Sequence, residues 1–183
     1  SYKVGTAPVT VTGKWIKNTY TVKYVNGLTG DVITTVTDEF GTPIAAPALP
    51  TATGYTFAWD IALDKIPAKN EKGETMANGG TVTVTAVPTA EKYTVTYVVD
   101  GKIVNAADVA FGTAIDSTFI PANTDIPAGY SFIGWNLDDK ATAAGALGNM
   151  PADDVTVYAV LQAKGDTKYT VEIYEETLEG EYE

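Results

Sequence analysis

The stretch GYSFIGW at residues 129–135 decides the fold, because it occurs earlier as GYTFAWD at residues 54–60 with one residue fewer before the tryptophan. An aromatic cluster that occurs twice is either a binding site used twice or the core of a structural unit built twice. The two possibilities differ in where the aromatic side chains point. The sequence on either side of the two stretches favours the second possibility.

Three further phrases recur in the same order along the chain. They are YTVKYV, YTVTYV and YTVEIY at 20–25, 93–98 and 169–174, FGT at 40–42 and 111–113, and TVTVTAV with VTVYAV at 81–87 and 155–160. A fixed order and spacing of this kind marks a repeat architecture. The predicted domains are the closing strand of a truncated preceding repeat at 1–18, a first module at 19–90, a second module at 91–166 and the start of a third repeat at 167–183.

Each module has the pattern of a small β-sheet. The opening segment 93–99 alternates Tyr and Val with Thr, and the closing segment 81–87 alternates in the same way. Period-two alternation is typical of half-buried strands. A second strand is predicted at 32–40 and 103–111, and the aromatic phrase is the third. The predicted fold class is therefore mainly β, or α+β at most, built from small tandem modules.

Little helix is expected between the second and third strands. Proline breaks helices, and this part of the two modules contains Pro43, Pro47, Pro50, Pro121 and Pro127. The segment 137–147 is where one or two helical turns are predicted. The joints PTAEK at 88–92 and QAKGDTK at 162–168 contain no flexible spacer, so the modules are expected to form a semi-rigid, elongated rod.

The register of the aromatic phrase differs between the modules. In the first module the three aromatic residues are spaced by two and share one face of a strand. In the second, one extra residue turns Trp135 to the opposite face from Phe132. A β-bulge restores Trp135 to the face of Phe132. The predicted bulge residues are Ile133 and Gly134.

The aromatic residues are interpreted as core. A module of about 73 residues without a disulfide or metal is near the lower limit of independent stability, and aromatic side chains bury the most apolar area. The alternative is that Trp59 and Trp135 stack on carbohydrate. The predicted core residues are Tyr20, Tyr55, Phe57, Trp59, Tyr93, Tyr130, Phe132 and Trp135.

Composition excludes several functions. The chain has no Cys and no His, which removes thiol nucleophiles, disulfides, common zinc ligands and the Ser-His-Asp triad. It has 12 Lys, no Arg and 23 Asp plus Glu, which argues against nucleic acid as a partner. No apolar run is long enough to span a bilayer, and no leader opens the chain. We expect Ser1 to be a boundary inside a longer protein. We also expect the chain to use no cofactor and not to insert into a membrane.

Two kinds of chemistry stay open as alternatives. The acidic pairs Asp138–Asp139 and Asp153–Asp154 could bind calcium or act as the acids of a glycoside hydrolase, although neighbouring acids on loops more often cap turns. A Lys-to-Asn isopeptide crosslink is the other alternative, with Lys23 and Asn149 as its members. The second module has Thr96 at the position of Lys23, which argues against a crosslink repeated in both modules.

The second module resembles the Listeria-Bacteroides repeat, the B-repeat type of internalin-like surface proteins. The motifs that carry the resemblance are YTVTYVVDGKIV, FGTAI, GYSFIGW and MPADDVTVYAV, and they cover residues 93–160. The match over 20–87 is weaker, since that module lacks the glycine before Trp59 and has MANGG at 76–80. The final YTVEIYEETLEGEY is similar to the opening of a module found in mucin-binding adhesins.

The resemblance implies a β-grasp, ubiquitin-like module repeated along an exported, cell wall-associated bacterial protein. It implies no catalytic residue. The implied role is a structural spacer or stalk, to which some repeats add adhesion, and the implied partners are the neighbouring repeats of the same chain. A module that binds a glycan or a host protein is the first alternative, and a carboxylate-only glycoside hydrolase is the second.

Overall fold

The computed structural model describes residue 10 and residues 12–165. The chain divides into two compact units between Thr89 and Ala90. The segment predicted to be a closing strand at 1–18 is described mainly from residue 12 onward. Residues 12–18 contain no strand. The predicted third repeat at 167–183 lies outside the described residues.

The first unit is one four-stranded sheet with the strand order β2-β1-β4-β3. Its strands are β1 (Thr19–Asn26), β2 (Val32–Glu39), β3 (Tyr55–Trp59) and β4 (Thr81–Ala90). Strand β1 pairs antiparallel with β2 and parallel with β4. The first and last strands of the unit therefore lie side by side at the centre of the sheet.

The second unit repeats this sheet with the order β6-β5-β8-β7. Its strands are β5 (Lys92–Val99), β6 (Lys102–Ala110), β7 (Tyr130–Asn136) and β8 (Val155–Ala163). Strand β5 pairs antiparallel with β6 and parallel with β8, and β7 pairs antiparallel with β8. Both units thus have the strand order of the β-grasp fold, which confirms the mainly β prediction.

Helix is nearly absent from the described residues, where the one helical element is a single 3₁₀ turn at Asn123–Asp125. The prediction of helical turns at 137–147 was wrong. That segment instead forms bends and a turn, and its later part lies beside β7, where the Gly145 N–H donates to the carbonyl oxygen of Trp135 at 2.9 Å. The Asn136 side-chain amide also donates to the carbonyl oxygen of Ala143. These bonds hold residues 143–145 beside the strand.

Alternation along the central strands produces the two cores. In β1, β4, β5 and β8, alternate Tyr and Val residues point to the core face, and the threonines between them point to the other face. The buried residues of the first core are Tyr20, Val22, Tyr24, Ile66, Val82 and Val84. Those of the second core are Val95, Tyr97, Val99, Ile115, Trp135, Leu147, Met150 and Val157.

Each second strand carries one extra residue that turns toward the core. The β1–β2 register shifts between Tyr24 and Val25, which leaves Ile33 without a partner on β1. The β5–β6 register shifts in the same way, which leaves Val104 of β6 without a partner on β5. Both side chains pack against their cores. A bulge bends an edge strand and hinders pairing with another sheet, so it protects these edges.

Candidate functional site

The second unit is organised around Trp135, whose side chain is 1% exposed. Its indole N–H donates a 2.6 Å hydrogen bond to the carbonyl oxygen of Phe119. The Phe119 ring stacks on the indole at 5.8 Å, and the Tyr97 ring meets it edge-on at 5.0 Å. Such geometries are favourable beyond the buried area itself. The indole is therefore a satisfied core group with no polar atom left for a ligand.

A bulge in β7 places Trp135 in this cluster. The register between β7 and β8 shifts between Phe132 and Gly134, where the sequence predicts the bulge, so that Ile133 has no partner on β8. The Phe132 and Trp135 rings lie 5.0 Å apart on the same face. Gly134 has φ +146°, and a Cβ added there would lie 2.4 Å from Ala144 Cβ. Glycine is needed here for both reasons.

The first unit has a smaller ring cluster. The Tyr24 and Trp59 rings meet edge-on at 5.1 Å, and Trp59 is half-buried rather than buried. The hydroxyl of Tyr24 is buried, and no described residue offers it a hydrogen bond. Burial raises the pKa of the Tyr24 phenol. Counted from the FGT phrase, the first unit has Ala48 at the position of Phe119.

The predicted core residues occupy three environments. Tyr20 and Trp135 are buried. Half-buried positions are those of Tyr55, Phe57, Trp59, Tyr93 and Phe132. Tyr130 is 43% exposed, so its assignment to the core was wrong. It is the first residue of β7 and lies beyond the packed rings, where it borders a surface depression.

Carboxylates of both acidic pairs accept hydrogen bonds from backbone N–H groups. The Asp154 carboxylate accepts the Thr94 N–H at 2.7 Å, and the Asp153 carboxylate accepts the N–H of Asp154 at 2.9 Å. The Asp138 carboxylate accepts the Lys140 N–H. These carboxylates satisfy backbone groups at turns and strand ends. Among residues 10 and 12–165, no three acidic side chains are grouped so that they could hold a metal ion.

The residues suggested for an isopeptide crosslink belong to different units. Lys23 lies in the middle of β1 in the first unit. Asn149 lies in the second unit, where it forms an isolated bridge with Ala114. Lys23 and Asn149 therefore cannot form a crosslink within a single unit.

The feature common to both units is the parallel pair of terminal strands. Six residue pairs join Thr21–Asn26 of β1 to Thr81–Ala86 of β4. Four pairs join Val95–Val98 of β5 to Val155–Tyr158 of β8. The strand by which the chain enters each unit is thus paired directly with the strand by which it leaves.

Two tandem sheets with aromatic cores and paired terminal strands define a modular repeat protein. The model of the Listeria-Bacteroides repeat domain matches residues 20–60 and 93–160. The chain belongs to this family, a repeat of surface proteins such as the internalins. The family prediction made from the sequence is therefore confirmed.

Two relatives place the repeats in larger proteins. The chain is 31% identical to Internalin H of Listeria monocytogenes over 140 residues, which are 69% of this chain and 22% of that protein. It is 27% identical to a protein of Evansella cellulosilytica named as a Gly-rich membrane protein, over 98% of this chain and 19% of that protein. The chain thus spans about a fifth of the length of these relatives. In its described part, no helix is long and apolar enough to cross a membrane.

Proposed function

We propose that the two units are non-enzymatic, force-bearing spacer modules of an exported bacterial protein associated with the cell wall. The observation that carries the proposal is the parallel pairing of the first and last strands in both units. A surface spacer is pulled through its two chain ends. The resistance of each module then depends on how those ends are bonded to each other.

Parallel terminal strands are loaded in shear. The chain enters β1 at Thr19 and leaves β4 at Ala90, and because these strands are parallel, those two points lie at opposite ends of the sheet. A pull on both ends slides the strands along each other and loads all six residue pairs together. Antiparallel strands pulled from the same end would instead open one hydrogen bond at a time, each worth about 0.5–1.5 kcal/mol. Forced unfolding is governed by the unfolding rate, and under shear the paired strands separate only when several residue pairs break together.

Single-molecule pulling of the first unit tests the spacer role. The chain has no Cys, so introduced cysteines are unique attachment points. The shear geometry uses Asn18→Cys with Glu91→Cys. The matched control uses Asn18→Cys with Glu39→Cys, which pulls the antiparallel β1–β2 pair from one end. We expect the unfolding force to be several-fold higher in the shear geometry, and equal forces would contradict the proposal.

The non-enzymatic role of the two units is supported by the surroundings of their acidic and aromatic side chains. The carboxylates of Asp138, Asp153 and Asp154 accept backbone N–H groups. The Trp135 side chain, which could otherwise stack on a sugar ring, is buried. A hydrolysis assay on a panel of wall and host polysaccharides should give no product above buffer. If the chain released reducing ends from a polysaccharide and the Asp153→Asn variant did not, the proposal that the units are non-enzymatic would be contradicted.

The surface location follows from the family and is tested in cells. Protease applied to intact cells of the producing bacterium should release peptides from residues 19–165. Peptides found only after lysis would contradict an exported, wall-associated protein. The neighbouring repeats are proposed as the direct partners of these modules.

A further inference from the structure

The two units differ in how far their terminal strands are paired. Six residue pairs join β1 to β4 in the first unit, and four join β5 to β8 in the second. When the units are aligned on the phrases YTV and VTV, the second lacks one pair at each end of this pairing. The missing pairs are Thr94 with Asp154 and Val99 with Ala159. The strand pairing that resists shear is therefore shorter in the second unit.

The units also differ at the end where the chain enters. In the first unit the Thr19 N–H donates to Asn78 Oδ1 at 2.8 Å, and the Thr19 carbonyl oxygen accepts the Gly79 N–H at 2.8 Å. In the second unit the Thr94 N–H donates to the Asp154 carboxylate at 2.7 Å. The entry of β1 is thus held to the segment before β4 by several bonds. Among the described residues, that of β5 is held by one carboxylate.

The loop after the opening strand explains the difference at the other end. In the first unit the chain continues beside β4 after β1, where the Gly27 N–H donates to the carbonyl oxygen of Ala86 at 2.9 Å. A Cβ on Gly27 would lie 2.6 Å from that oxygen, so this approach requires glycine. In the second unit Asp100 and Gly101, both with positive φ, form a two-residue hairpin between β5 and β6. The chain therefore turns away from β8 as soon as β5 ends.

The length of this pairing sets the resistance to a pull. The two units follow each other on one chain, so a pull on its ends loads both with the same force. Hydrogen bonds weaken steeply as their distance and angle change, so a small sliding of the strands breaks them. Apolar contact is non-directional and survives a small displacement. The force that a unit withstands therefore depends first on its paired terminal strands.

We propose that the second unit unfolds first under load and that the first unit stays folded, so that the pair extends in two steps. This inference rests on the proposed spacer role. The larger aromatic cluster of the second unit does not reverse the order, because it comes apart only after the strands have slid. The chain from Lys92 to Ala163 reaches roughly 240–260 Å when fully extended. Unfolding of the second unit would thus lengthen the spacer while the first unit still holds.

Pulling each unit within the full chain tests the order. Asn18→Cys with Glu91→Cys attaches the first unit, and Glu91→Cys with Gly165→Cys attaches the second. Unfolding rates are measured at the same constant force. We expect the second unit to unfold about tenfold faster than the first, as two fewer backbone hydrogen bonds imply. Equal rates, or a faster first unit, would overturn the proposal.

Substitutions at the entry of the first unit test the cause of the order. Asn78→Ala removes the acceptor of the Thr19 N–H and should speed forced unfolding of the first unit severalfold. Asn70→Ala is the matched control, because its side-chain oxygen also accepts backbone N–H groups, those of Lys72 and Glu74, but away from both terminal strands. It should leave the rate unchanged. Equal effects of the two substitutions would overturn the proposal.

A second pair of substitutions tests the entry of the second unit. Asp154→Ala removes the acceptor of the Thr94 N–H and should speed forced unfolding of this unit severalfold. Asp138→Ala is its control, because that carboxylate accepts the Lys140 N–H at a turn outside the strands. If Asp154→Ala had no more effect than Asp138→Ala, the assigned cause would be wrong.

Failure of this proposal can be told apart from failure of the spacer role. The rate comparison needs no substitution other than the attachment cysteines, so it decides the order even if a variant does not fold. Equal rates in the two units would overturn the order alone, provided that the first unit still resists shear several-fold better than the opening of its β1–β2 pair. Loss of that difference would contradict the spacer role itself.

Discussion

The hydroxyl of Tyr97 donates a hydrogen bond to the carbonyl oxygen of Asp116 at 2.6 Å. Tyr24 occupies the corresponding position of the first unit, and its buried hydroxyl has no hydrogen-bond partner in the described part of the chain. A buried polar group without a partner loses its hydration without compensation. The same residue type is therefore stabilising in one unit and unfavourable in the other.

Replacing each tyrosine by phenylalanine should separate the two cases. Tyr97→Phe should lower the unfolding free energy of the second unit by about 0.5–1.5 kcal/mol because it leaves the Asp116 carbonyl without its donor. Tyr24→Phe should leave the first unit unchanged or more stable, since it removes an unsatisfied hydroxyl. Amide hydrogen exchange reports on each unit separately. Equal destabilisation by the two substitutions would contradict the prediction.

Trp135 should be essential for the second unit. Trp135→Ala removes the indole and its bond to Phe119, and we expect a loss of about 3–5 kcal/mol, as for other large core residues. Trp15→Ala is the control, because Trp15 is 96% exposed, and it should change stability by less than about 0.5 kcal/mol. Thermal unfolding followed by circular dichroism measures both. A small effect of Trp135→Ala would show that the indole is not core.

Gly134→Ala should destabilise the second unit through both backbone strain and collision with Ala144. Gly112→Ala tests strain alone, because Gly112 has φ +76° but open space around its Cα. We expect roughly 1 kcal/mol from Gly112→Ala and more from Gly134→Ala. Adding Ala144→Gly to Gly134→Ala should restore part of the loss. Denaturant unfolding measures the series, and no rescue would mean that the collision is absent.

Acid should weaken the second unit through Asp116. The side-chain and backbone hydrogen bonds from Thr118 to this carboxylate lower its pKa below the ordinary value of 3.8. A lowered folded-state pKa gives stability that is present above the unfolded-state pKa and is lost as the pH falls through the folded-state pKa. Asp116→Asn should therefore flatten the pH dependence of the unfolding free energy below about pH 4. Thr118→Ala should flatten it in the same direction, and an unchanged slope in both variants would contradict the assignment.

The parts of the fold that can be predicted are those in which the sequence pattern is periodic. Alternation identifies the central strands, and the one-residue difference between the two aromatic phrases predicts the shift that the structure places between Phe132 and Gly134. Repetition also identifies the family. These features are local, so they can be read from neighbouring residues.

The remaining core could not be predicted from periodicity. Ile66 and Met150 are fully buried but lie in irregular segments that cross the core face of each sheet. No spacing rule marks such residues. Tyr130 was placed in the core because its strand neighbours are there, but burial at the end of a strand depends on which loops cover it. The depression that Tyr130 borders has no signal in the sequence apart from the bulge.

The difference in length between the two aromatic strands, β3 and β7, also bears on whether neighbouring repeats can exchange strands while they fold. Adjacent similar repeats are prone to exchange elements during synthesis and refolding. On β8, the partners of Phe132 and Trp135 are Leu161 and Ala159, which are two residues apart. Phe57 and Trp59 are also two residues apart, so β3 would reach the same two partners without a bulge. The bulge therefore sets no barrier to an exchange of third strands between the two copies, and the sequences around the strands have to keep successive modules of one polypeptide apart.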